Sequence, residues 1–169
     1  MKQVKKIAIA LVLFVAATSF VNAQSKIAHI DVQALLLDMP ETKTAQAELK
    51  KLAETYEADI QSVIVEYQNR AQQYQNESAS KSKEENEKRF KELQEIEQNI
   101  QVARQSAQVE FQKKESELFA PISEKAKATI EKVAAAQGYD YVIDARAGGG
   151  LIVSKGKDLL VDVKKELGI

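Results

Sequence analysis

The chain has 169 residues, with 24 basic and 25 acidic side chains, no cysteine, no tryptophan and 6% aromatic residues. That length suits one domain. The missing cysteines exclude disulfides, thiolate metal sites and thiol lipid anchors, and a balanced charge excludes the broadly basic face that nucleic acid requires.

Residues 1–23 differ from the rest. Lys2, Lys5 and Lys6 are followed by an unbroken apolar run from Ile7 to Ala17, and then by Val21 and Ala23 at the positions a signal peptidase reads. The pattern predicts a cleaved export signal ending before Gln24. Eleven apolar residues are too few to span a bilayer, which needs about 20. Without this segment the chain holds 21 bases and 25 acids, a net charge of −4.

Residues 27–32 alternate as a short strand, with Ala28, Ile30 and Val32 on one face. Pro40 and Glu41 then open a helix, since proline suits a first helical turn and acids favour the positive end. Two long helical stretches follow, 41–76 and 83–137, with apolar residues repeating every eleven positions. In the first, Ala45, Leu49 and Leu52 recur as Tyr56, Ile60 and Val63, then as Tyr67, Ala71 and Tyr74. In the second, Ile100, Phe111, Ile122 and Val133 run beside Ile96, Ala107 and Leu118. An eleven-residue repeat gives 3.67 residues per turn, so each stripe stays on one face with little supercoiling. Neither helix can bury its stripe alone. The polar segment between them, with Ser82 and Glu85 spaced as a capping box, predicts a tight turn and an antiparallel hairpin.

Pro121 predicts a kink in the second helix, with residues 122–137 continuing as a separate helical piece. Pro40 and Pro121 lie equally far from the turn, so both belong at the base of an arm about 55–60 Å long. Gly138 is placed to end the helix in a left-handed cap. Residues 139–144 read as a strand, Gly148 to Gly150 as a turn, Leu151 to Val153 as a second strand, and 158–167 as a closing helix with Leu159, Leu160, Val163 and Leu167 on its apolar side.

Catalytic patterns are absent. The single histidine, His29, has no cysteine or second histidine to complete a metal site, and no Gly-x-Ser-x-Gly elbow is present. Glu110 and Lys114 have the spacing of a helix-supporting pair. Lys81, Lys83, Lys88, Arg89 and Lys91 cluster near the turn, interleaved with Glu84, Glu85, Glu87 and Glu92, and read as a solvated face. No catalytic, cofactor-binding or metal-ligating residue is assigned.

The order of elements resembles one family, the Skp (OmpH) periplasmic chaperones. The resemblance is carried by the opening strand from Lys26 to Gln33, by the return segment (Leu118 to Ile122, Ile130 to Ala134, Gly138 to Asp144), and by the terminal stretch Asp158 to Leu167. It implies a mainly α chain with a small β body: a single domain over 24–169, with body segments 24–40 and 122–169 and a hairpin arm over 41–121. It further implies a homotrimer whose three arms surround a cavity. By the same resemblance, unfolded outer-membrane proteins would be held there without ATP, in the periplasm. The best-known members of that family are strongly basic, whereas this chain is slightly acidic. A body of 50–60 residues with short strands is itself marginal, which independently favours association. Candidate association residues are Ile30, Val32, Tyr141, Ile143, Leu151 and Val153, and candidate hinge residues are Pro40 and Pro121. Neither nucleic acid nor a cofactor is expected, and peripheral contact with a membrane surface stays open. The alternative reading is a coiled-coil adaptor or spacer of the envelope with one fixed partner.

Overall fold

The computed structural model describes residues 25–169, so the export signal read in residues 1–23 lies outside it. In chain order the elements are β1 (Ile27–Ile30), α1 (Val32–Asp38), α2 (Pro40–Glu77), a 3-10 turn (Ser78–Ser80), α3 (Lys83–Gln137), β2 (Tyr141–Asp144), β3 (Lys157–Asp158) and α4 (Leu160–Leu167). The chain is mainly helical with one small sheet, as the sequence predicts. It divides into two compact units: an arm over residues 33–128, and a body formed by 25–32 with 129–168.

In the arm, α2 and α3 are the two expected helices, with bounds within a residue of the periodic stretches. Pro40 occupies the first turn of α2 beside Glu41, where its missing N–H costs no hydrogen bond. Most stripe residues are covered: Ala45, Leu49, Ile100 and Ile122 are buried, and Tyr56, Tyr67, Phe111 and Leu118 are half-buried, whereas Val63 is exposed and its neighbour Ile64 is half-buried in its place. At the turn, the Ser78 and Ser80 hydroxyls donate to the carbonyls of Gln75 and Glu77 at 2.8 and 2.7 Å. The Asn86 side chain then ties the start of α3 back to the Ser78 carbonyl at 2.9 Å. Half of the expected capping box forms. The Glu85 amide donates to the Ser82 hydroxyl at 3.2 Å, while the Glu85 carboxylate faces Arg89 Nε at 3.4 Å.

Two expectations about the helices are corrected. Residues 122–137 are not a separate piece, because α3 runs unbroken through Pro121. Proline removes one bond of the ladder, the one to the carbonyl four residues back, and the apolar stripe continues on both sides through Leu118, Ile122 and Ala126. The first strand is shorter than 27–32: it ends at Ile30, and Val32 opens α1. Asp31 is a residue type favoured at helix starts, and the leucine run 35–37 that follows has helical rather than alternating burial, with Leu35 fully covered.

The body sheet has the order β2-β1-β3, and both pairings are parallel. This overturns the expected strand at Leu151 to Val153. Those residues form no strand, and the third strand is Lys157–Asp158. A parallel neighbour needs a long return connection, of the order of a dozen residues. Residues 145–156 supply it, so the Gly148–Gly150 turn belongs to a return loop and not to a hairpin. At the loop's end Gly156 passes close to the sheet. A Cβ there would come within 3.3 Å of the Ile27 carbonyl oxygen, and its own carbonyl lies 3.1 Å from His29 Nε2. The end of α3 is capped as predicted. Gly138 is left-handed at φ 72°, its amide donates to the Ala135 carbonyl at 3.1 Å, and that of Tyr139 donates to Ala134 at 2.9 Å, which is a Schellman closure.

The body core contains Ala28, Ile30, Val133, Ala134, Leu159 and Val163. Burial alternates along β1, so Ala28 and Ile30 face inward while Ile27 and His29 face the other way. The register pairs Ile27 with Tyr141 and His29 with Ile143 on that second face.

Candidate functional site

The second face of the sheet is bare. Ile27, Tyr141 and Ile143 are exposed at 51, 60 and 41%. Parallel strands are ordinarily covered on both faces, so this one offers an apolar patch that the protomer leaves uncovered. The return loop carries two more exposed apolar residues, Ile152 at 96% and Val153 at 66%.

The sequence-predicted association residues therefore fall into different settings. Tyr141, Ile143 and Val153 are exposed, and Leu151 is half-buried. Val32 is half-buried at the start of α1, and Ile30 is 1% exposed within the protomer core. Ile27 and Ile152 were missed. The alternation that placed Ala28 and Ile30 together also puts Ile27 on the opposite side, and that side is the open one. The body's edge is fixed by ions: Asp162 accepts from Lys157 at 2.9 Å and from Gln137 at 3.0 Å. The Lys157 bond, then that of Gln137, holds the Asp162 carboxyl below its ordinary value.

Along the arm, side chains cross from α2 to α3 at constant antiparallel register. Near the base Lys125 pairs with Glu41, and that bond lowers the Glu41 pKa. Further out Lys114 meets Glu48 at 2.8 Å, and the Tyr56 hydroxyl donates to Glu110 at 2.7 Å. Glu110 and Lys114 thus each reach across to the facing helix, in place of the pair along α3 that their spacing suggested. Pro40 and Pro121 line one groove with Ala45, Leu118 and Ile122, so the two prolines do lie at one level.

The middle of the arm is chemically distinct. Residues 60–65 carry no charge, and 98–109 carry only Arg104. Val63, Val65, Val102 and Val109 are exposed there. At the tip the basic cluster is not uniform. Lys81, Lys83 and Lys91 border a shallow depression with Phe90, which is 62% exposed and which the sequence reading passed over. Arg89 instead turns inward over the Tyr74 ring, 4.6 Å from its centroid. Among the described residues no group of three or more histidine, aspartate or glutamate side chains could hold a metal ion, and no helix is long and apolar enough to cross a membrane.

A small parallel sheet whose first strand is followed by a long antiparallel helical arm defines the architectural class. The chain belongs to the OmpH-like outer membrane protein family, which it matches over residues 26–167. Its fold is also that of a crystal structure of a candidate outer membrane chaperone, OmpH-like, from Caulobacter crescentus CB15. The TM-score is 0.73 at 16% identity, over 86% of this chain and 85% of the other. Among curated proteins none matches.

Proposed function

We propose that this protein is a periplasmic holdase that binds unfolded outer-membrane β-barrel proteins and prevents their aggregation without ATP. The observation that carries the reading is the family match over residues 26–167, which takes in arm and body together. The surfaces support it. The bare face of Ile27, Tyr141 and Ile143 suits association of three copies into a hub. The weakly charged middle of the arm, with its four exposed valines, suits many shallow contacts with a chain that alternates apolar and polar residues, as an unfolded barrel strand does. The arms would swing about the level of Pro40 and Pro121.

The test is native mass measurement with and without an unfolded outer-membrane protein, beside an aggregation assay on several unrelated barrel proteins. A trimer that takes up about one client and suppresses aggregation of all of them is the expected result. A protein that binds one folded partner and suppresses nothing would instead be an envelope adaptor.

A further inference from the structure

The two ends of the arm are held by different forces. Near the base the covered residues include Ala45, Leu49, Ile122 and Ala126, apolar but for Thr42 beside them. Beyond residue 65 of α2 and before residue 96 of α3, no apolar side chain is fully buried. Polar side chains make the crossing there instead. Both carboxylate oxygens of Glu92 are used: one takes Arg70 Nη1, and the other accepts the Tyr74 hydroxyl at 2.8 Å. Arg70 is steadied from its own helix by Glu66 at 2.6 Å. The Tyr74 ring carries Arg89, whose Nη2 donates to Glu77 at 2.8 Å and whose Nε faces Glu85. The Arg89 side chain is only 13% exposed. Single surface ion pairs stabilise little. This group is different because one tyrosine joins two arginine–carboxylate pairs that run in opposite senses between the helices.

We propose that the distal arm is an ionic latch centred on Tyr74 and Glu92, which opens as a unit while the apolar base of the arm stays closed. Opening uncovers the half-buried stripe residues Tyr67, Ala71, Leu93 and Ile96. Local opening of this kind is expected where apolar burial is sparse and exposed polar bonds do the holding.

The direction with pH follows from the groups involved. Glu92 faces Tyr74 and Arg70 from α2 and Lys88 from its own helix, and the Tyr74 bond leads in lowering its pKa. Glu77 faces Gln73 and Lys81 along the chain and Arg89 from α3, with the Gln73 bond leading. Both carboxyls sit below their ordinary 4.5. The latch is therefore complete above the ordinary value and is lost as pH falls on through the lowered ones.

Hydrogen exchange on the full chain tests this, with rates corrected for intrinsic pH effects. At neutral pH, Glu92→Gln should speed exchange of amides 66–77 and 85–95 by about tenfold, while 45–56 and 107–118 change less than about twofold. Tyr74→Phe removes only a hydroxyl and should act in the same direction, less strongly. Glu41→Gln, which breaks the basal pair, should leave the distal amides alone. In the wild type, acid should open the distal amides before the basal ones. Equal acceleration at both ends, or no distal change in either latch variant, overturns the latch.

Discussion

The body and the arm reach stability by opposite means. The body concentrates burial: Ile30, Leu159 and Val163 are almost wholly covered, and one sheet face closes on them while the other stays open. The arm spreads burial thinly along α2 and the stretch of α3 up to residue 128, and adds cross-helix polar pairs at intervals. A compact core makes every inward residue critical. A long stripe tolerates local loss, because each turn contributes little.

That contrast is broken most sharply within the body itself. Ile30→Asp places an unpaired charge in the core, costing several kcal/mol, on the order of 4 or more. The expected result is loss of the cooperative thermal transition and aggregation. Ile143→Asp puts the same charge on the bare face. It should leave helix content and the protomer fold intact and reduce the mass found by light scattering to that of a monomer. If Ile143→Asp kept the assembled mass, the bare face would not be the interface.

A smaller effect sharpens the arm's side of the comparison. Spin labels at Ser80 should give a broad distance distribution between subunits. Restoring the missing backbone donor with Pro121→Ala should narrow it, since a ladder lacking one bond bends more easily. Equally narrow distributions in both proteins would remove Pro40 and Pro121 as hinge residues.

The smallest effect concerns charge. Arm and adjoining helix over 41–137 hold 15 bases and 18 acids, so little long-range attraction is available for an acidic client. Exposed charges are screened beyond about 8 Å at physiological salt. Client affinity should therefore fall by less than about threefold between low and physiological salt, measured by titration with one unfolded barrel protein. A steep fall would assign capture to Lys81, Lys83 and Lys91 at the tip.

The arm was legible because its signal is long. Eleven-residue spacing over many turns leaves no strand interpretation, and the turn residues mark where the chain reverses. The body was less legible because its signals are short. Val32 continues the alternation of β1, yet the chain has already turned into α1. Leu151 to Val153 has strand composition but lies in a loop whose length is set by a parallel pairing that local sequence does not reveal. Arg89 looked like one more solvated charge. Its distance from the turn places it opposite Tyr74, so the signal for the latch was present in the antiparallel register rather than in the residue type.

The position of β1 has a consequence for the order in which the molecule assembles. Among the described residues it is the earliest strand in sequence and the central one of the sheet, and its partners begin at Tyr141 and Lys157. A chain emerging from its N-terminus must leave β1 without neighbours until nearly all of it has appeared. Contacts so far apart in sequence close slowly, and the cost of closing such a loop grows with its length. The hairpin shortens the problem: α2 and α3 can zip together from the Ser78–Ser80 turn, bringing the two ends of the loop within reach. Folding speed should thus depend on the arm, and a chain cut before Lys157 should keep its arm yet leave β1 with a single neighbour.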